Sequence, residues 1–246
     1  KWQEVRDDCF AASSTTQTAR TIDVIAVKEG WATFGADCLK AYYQADQTES
    51  VCVVPPPEYL EMRAQQGLSV DILWKLHRMI PGQRAAGAGW VQKVSRDLVN
   101  DGFERCPALP QFFFRRADRA LIEVHMDDFH GCAETKVAEK VVARLREIFD
   151  IKATEVFCEG RYSHLRRDRL RVGNTTYLRG NPCHVDSLVE LCGLQKSKSA
   201  ATPSLPENDP GDDDPLLDDD EAAKYRRGTG IMLYVAADRW DVKRDT

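Results

Sequence analysis

The sequence predicts an α+β fold in which a small antiparallel sheet is backed by helices, a split βαβ arrangement in the ferredoxin-like sense. Three observations lead there. Residues 120–132, ALIEVHMDDFHGC, alternate apolar and polar, break at two adjacent aspartates and resume, as a hairpin does with Asp127 and Asp128 at its tip. Ile122, Val124 and Met126 share one parity of that run and Leu121, Glu123 and His125 the other, the period of a strand with one buried face. Residues 134–149 then place Val137, Ala138, Val141, Val142, Leu145, Ile148 and Phe149 at three- and four-residue spacing, the stripe of a core helix.

Bulk properties narrow the class. The 246 residues, 43% of them hydrophobic, suffice for one large domain or two small ones with a proper core. No apolar run is long enough to span a membrane, and KWQEVRDDCF has no signal-peptide core, so the expected location is intracellular, cytoplasmic or nuclear, with no membrane partner. The chain opens on Lys1 and reads as a fragment of a longer polypeptide. Its eight cysteines form no CxxC pair, which fits reduced thiols; His125, His130 and Cys132 match no common zinc spacing. Residues 207–221 hold nine acidic side chains and no basic one, so without them the net charge of −5 becomes +4. That self-repelling block reads as a disordered linker, placed at 204–221, on a mildly basic folded part.

In chain order, 18–29 reads as a helix with Ile22, Ile25 and Ala26 on one face, entered through the Ser/Thr run at 13–16. Residues 31–36 form a short strand that delivers Asp37 at its end, and 38–45 turn away as a helical start. The strand in VCVVPPPEYL is closed by Pro55, Pro56 and Pro57. Residues 72–79 and 89–100 are expected to be helical, joined by the small-residue segment PGQRAAGAG. A strand at 111–115 feeds the hairpin. Strands return at 151–158 and 161–177, with a turn near Gly173-Asn174, before helices at 182–193 and 224–237. We expect one domain over 1–182 and a second region over 183–246.

Such a sheet can set the end of the Asp37 strand beside the hairpin tip, so that three carboxylates converge. Adjacent like charges raise each other's pKa unless a cation neutralises them. Hard carboxylate oxygens at a cleft favour magnesium, and two such ions would clamp an in-line phosphoryl displacement. An isolated Asp-Asp pair is weak by itself, and Asp37 could equally be a plain helix cap. Residues 161–180 carry six arginines and one acid. This ribbon either lies along a phosphate backbone through Arg161, Arg166, Arg167, Arg169 and Arg171 or is a solvated hairpin face.

Read together, these pieces resemble the reverse transcriptase domain of a copia-type retrotransposon polyprotein, from about residue 10 to residue 242. The family's DVxxAFL block resembles DCLKAY at 37–42, its PPG(F/Y) resembles PPEY at 56–59, and its LxKxLYGLKQAPRAW resembles LWKLHRMIPGQRAAGAGW at 73–90. Its GF matches Gly102-Phe103, and its (Y/H)VDD resembles His125-Met126-Asp127-Asp128. Thr202-Pro203 and YRRGTGIMLYVAADRWD at 225–241 resemble the family's TP and YRxxxGxLxYLxxxRPD.

The resemblance implies a right-hand polymerase palm with partial fingers and a helical thumb. It implies that Asp37, Asp127 and Asp128 hold two magnesium ions, or manganese in their place, and that Tyr42 is an aromatic gate against a 2′-hydroxyl. Met126, Gln83 and Arg84 would contact the deoxynucleoside triphosphate, and the arginine ribbon an RNA template and DNA primer. Several departures bear on activity: Trp240 replaces the proline of RPD, and the family's basic ARLVAKG fingers segment is cut off or unrecognisable in KWQEVRDD. Ala85 stands where the family has its nucleotide-contacting Gln, with Gln83 two residues away, and Pro81 replaces the Tyr of YG. The alternative to an active polymerase is a degenerate domain that keeps the fold and at most binds nucleic acid.

Overall fold

The computed structural model describes residues 11, 16–153, 156–198 and 216–239. They fall into two compact units, one of residues up to 160 together with 172–175, the other of 161–171 with residues from 176 onward. Most of the acidic block lies outside the described residues. Among the described residues no helix is long and apolar enough to cross a membrane, and all seven cysteines are free.

In the first unit Thr16–Glu29 (α1) leads into Ala32–Cys38 (β1) and a one-turn 3-10 helix, Ala41–Gln44. Cys52–Val53 (β2) and Trp74–Lys75 (β3) pair as a two-stranded ribbon on either side of Pro57–Gln65 (α2). Ala86–Asn100 (α3) is followed by Glu104–Arg105 (β4), Phe112–Arg115 (β5), Ala120–His125 (β6), Asp128–Ala133 (β7), Thr135–Ile148 (α4) and Ile151–Ala153 (β8). Six strands form one antiparallel sheet in the order β4-β5-β6-β7-β1-β8. The fold is therefore mixed α/β with antiparallel sheets. The hairpin occurs as read, with β1 inserted between its second strand and β8.

Both faces of the central strands are covered, where the alternation had suggested one. On the first face Phe34, Ala36, Ile122, Val124 and Phe129 pack with Trp90, Val94 and Leu98 of α3 and Val141, Val142 and Leu145 of α4. On the other, Leu121 and Cys132 meet Ile22 and Ala26 of α1 and Trp31. Glu123, whose polarity marked it as solvent-facing, is 1% exposed. It accepts a hydrogen bond from Thr18 Oγ1 at 2.8 Å and faces buried His130, with Asp23 beyond. The period-two pattern separates an apolar buried face from a partly polar buried one.

The expected helix at 72–79 is absent. Trp74 and Lys75 instead pair with Val53 and Cys52, Leu76 N–H donates to the Val51 carbonyl at 2.9 Å, and Tyr59 meets Trp74 edge-on at 4.9 Å. Backbone bonds to a distant strand satisfy the segment in place of helical ones. The three prolines close β2 as expected, and Pro57 also starts α2, where a missing N–H costs nothing.

Gly160–His164 (β9), Arg167–Val172 (β10) and Thr175–Gly180 (β11), most of whose residues belong to the second unit, form a meander in the order β11-β10-β9. Gly173, at φ 53, makes the anticipated turn. Cys183–Leu191 (α5) packs on Asp219–Ala236 (α6). α6 begins five residues before its expected start: Asp218 caps it by accepting from Glu221 N–H at 2.8 Å, and Asp219, Asp220 and Glu221 complement the helix dipole.

Candidate active site

Asp37 lies directly opposite Asp128 in the β1–β7 ladder. Cys38 N–H donates to the Asp127 carbonyl at 2.8 Å, so the neighbouring Asp37–Asp128 pair is of the non-hydrogen-bonded kind, whose side chains approach most closely. Asp127 occupies the turn beside them. Asp37 and Asp127 are exposed and Asp128 half-buried. Burial first, then the carboxylates of Asp127 and Asp37, push Asp128 up to about 6. Burial and the same three aspartates raise the Cys38 thiol. Among the described residues the three aspartates do not form a group whose carboxylate oxygens all lie within 4.8 Å of one another.

The hairpin turn has two residues, Met126 and Asp127, and Met126 takes the left-handed region at φ 56. Trp90, fully buried in α3, fixes this turn by donating from its indole N–H to the Met126 carbonyl at 2.6 Å. Beside the turn opens a cavity of about 180 Å3 lined by Lys40, Tyr42, Tyr43, Trp90, Met126 and Asp127, among others. Tyr42, half-buried, thus shares a cavity with an aspartate of the triad. Reading by residue type assigned no site role to Trp90 or Lys40; the spacing of LWKLHRMIPGQRAAGAGW places Trp90 at the end of a motif without revealing its bond.

Residues 3–161 match the sequence profile of the Reverse transcriptase (RNA-dependent DNA polymerase) family. The chain belongs to the reverse transcriptase family. That match contains the three aspartates, Tyr42 and the whole cavity. No curated protein matches the chain. Among solved structures it is similar to an apo telomerase from Candida Tropicalis, truncated from the C-terminal domain, at 10% identity and a TM-score of 0.38; the likeness covers 69% of this chain and 41% of the telomerase chain.

Two other groups expected at the site of this reverse transcriptase domain are placed differently. Gln83 is outside the residues that line the cavity. Its side-chain oxygen accepts from Ile80 N–H at 3.1 Å and Gln47 Nε2 at 3.2 Å, which ties it to its own loop and to the segment that carries Gln47. Arg84 is exposed on that loop. The arginine ribbon divides. Arg161 and Arg166 are exposed, whereas Arg167, Arg169 and Arg171 occupy the alternate, buried positions of β10. Arg167 Nε binds Asp238 at 2.6 Å with its guanidinium over the Tyr234 ring, and Arg169 Nη1 donates to the His164 carbonyl at 2.9 Å. Neither the phosphate-facing ribbon nor the solvated face describes these three, because strand alternation turns every second side chain inward.

The three aspartates suit a hard divalent cation. They offer only carboxylate oxygen, they reach solvent, and their mutual repulsion is the kind a cation relieves.

Proposed function

We propose that this chain is the RNA-directed DNA polymerase domain of a copia-type retrotransposon polyprotein, and that the six-stranded sheet is the palm of a right-hand polymerase. The second unit would supply thumb. One observation carries the reading: Asp37 faces Asp128 across a ladder, with Asp127 at the adjoining turn, in a chain of the reverse transcriptase family.

In the proposed reaction a primer 3′-oxygen bonds to the α-phosphorus of a deoxynucleoside triphosphate and pyrophosphate leaves. Asp37, Asp127 and Asp128 would hold magnesium, which supplies charge neutralisation at the reacting phosphate and a more acidic primer hydroxyl. Tyr42 places a flat ring in the cavity beside Asp127, where it would exclude a 2′-hydroxyl. Trp90 keeps the aspartate turn in place from below. Arg161, Arg166 and Arg179 are the exposed members of the ribbon available to an RNA template and DNA primer.

The test is magnesium-dependent extension of a DNA primer on an RNA template by the unmodified chain and by Asp127→Asn. The expected result is extension that the substitution reduces by a factor of about a thousand, the scale of removing one electrostatic stabiliser. A second reading, a degenerate domain that at most binds nucleic acid, is favoured by Gln83, whose oxygen is committed to Ile80 N–H and Gln47. It predicts duplex binding with no extension.

A further inference from the structure

Behind the aspartate tip the sheet carries a second polar group that the proposed reaction leaves unused. Alternation along β7 puts His130 on the face of Asp128, one side-chain row further from the turn, and the ladder sets Glu123 of β6 directly opposite His130. Here α1 packs on both strands and brings Asp23 to the same place. Asp23, Glu123 and His130 are 4%, 1% and 0% exposed. Two carboxylates and an imidazole buried together demand compensation.

Glu123 and His130 each have one atom oriented from α1. Thr18 Oγ1 donates to Glu123 Oε1 at 2.8 Å, and Asp23 Oδ1 lies 3.6 Å from His130 Nε2. The second atoms, Glu123 Oε2 and His130 Nδ1, stand 4.0 Å apart. That separation is too long for a hydrogen bond, and among the described residues Glu123 Oε2, although buried, accepts none. Zinc bonds of about 2.0–2.2 Å to imidazole nitrogen and carboxylate oxygen let one ion reach two atoms about 4 Å apart. The surrounding contacts are of the kind that orient metal ligands: a carboxylate beside the other imidazole nitrogen and a hydroxyl on the other carboxylate oxygen.

We propose that Glu123 Oε2 and His130 Nδ1 are ligands of a structural zinc ion, with Asp23 and Thr18 as their positioning residues. An imidazole donor suits zinc and disfavours magnesium, which takes oxygen ligands and keeps its water. With its ligands on β6 and β7 and their supports on α1, the ion cross-links that helix to the aspartate hairpin. Because these atoms are closed to solvent, zinc enters as the chain folds and is retained afterwards. The site shares no residue with the aspartate cluster and stands whether or not the chain extends a primer.

The experiment refolds the full chain with zinc, dialyses it against a weak chelator and measures the retained metal by mass spectrometry. About one zinc per chain is expected. Asp37→Asn combined with Asp127→Asn should retain it, which separates this site from the aspartate cluster. Glu123→Gln and His130→Asn should each retain less than about a tenth, and Asp23→Asn and Thr18→Val should weaken zinc by about 10- to 100-fold in competition titration. Zinc K-edge absorption of the unmodified chain, which requires no variant to fold, should show the outer-shell pattern of imidazole with first-shell distances of about 2.0–2.1 Å. No retained zinc, zinc lost with the two aspartates, retention unaffected in folded Glu123→Gln and His130→Asn, or a spectrum without imidazole overturns the assignment.

Discussion

The indole N–H of Trp90 donates to the carbonyl of Met126 at 2.6 Å, from a helix whose apolar stripe is otherwise committed to the sheet. Trp90 also meets Phe149 edge-on, with ring centroids 5.8 Å apart and planes at 70°. The turn that carries Asp127 is thus tied to the core by the Trp90 indole as well as by the Cys38 N–H bond to the Asp127 carbonyl. Trp90→Phe retains most of the buried ring and removes the donor. We expect a stability loss of about 1–3 kcal/mol in urea denaturation, from the orphaned carbonyl and the smaller ring. If the turn depends on this bond, primer extension should fall under conditions where the variant stays fully folded; unchanged extension there would show that the turn holds its geometry without it.

Asp128 provides a pH prediction. Its carboxyl is pushed up to about 6 by burial first and by Asp127 and Asp37 next, so the folded chain holds this proton more tightly than the unfolded chain does. The contribution to stability is full below the ordinary carboxylate range and is lost as pH rises through about 6. Thermal melts without divalent cation should show this loss, and Asp128→Asn should flatten it. Magnesium should raise the melting temperature more at about pH 8 than at about pH 5, because only the ionised cluster attracts it strongly.

Gly131 sits where β7 crosses beneath Phe34. A Cβ built there would collide with the Phe34 ring and stand 2.5 Å from the Leu121 carbonyl oxygen. Because one obstacle is backbone of the neighbouring strand, rotamer changes alone cannot relieve it. Gly131→Ala is expected to destabilise the chain by at least about 1–3 kcal/mol. A melting temperature equal to that of the unmodified chain would mean that β6 and β7 can separate at this point.

The elements that local pattern specifies were legible in the sequence: α4 from its apolar stripe, the β6–β7 hairpin from alternation broken at Asp127-Asp128, and the turn at Gly173. The adjacency of Asp37 to that hairpin was anticipated from the order of elements and a resemblance; the register pairing it with Asp128 needed the sheet itself. Three features stayed hidden for physical reasons. Trp74-Lys75 finds its partner in Cys52-Val53, about twenty residues away, and no local period reports such a pairing. Glu123 looked solvent-facing because its partner Thr18 comes from a helix more than a hundred residues earlier. Trp90 read only as the end of a motif, since a single indole bond leaves no trace in spacing.

The inward-facing side chains of β10 change how charge in this region should be counted. Counterion release on binding nucleic acid depends on the cations that reach phosphates, with a slope of roughly 0.7 to 0.9 in log affinity against log salt for each one. With Arg167, Arg169 and Arg171 buried, the β9–β10 hairpin offers Arg161 and Arg166 for such contacts. Its salt dependence should therefore reflect about two phosphates, where a tally of the hairpin's own arginines would suggest about five.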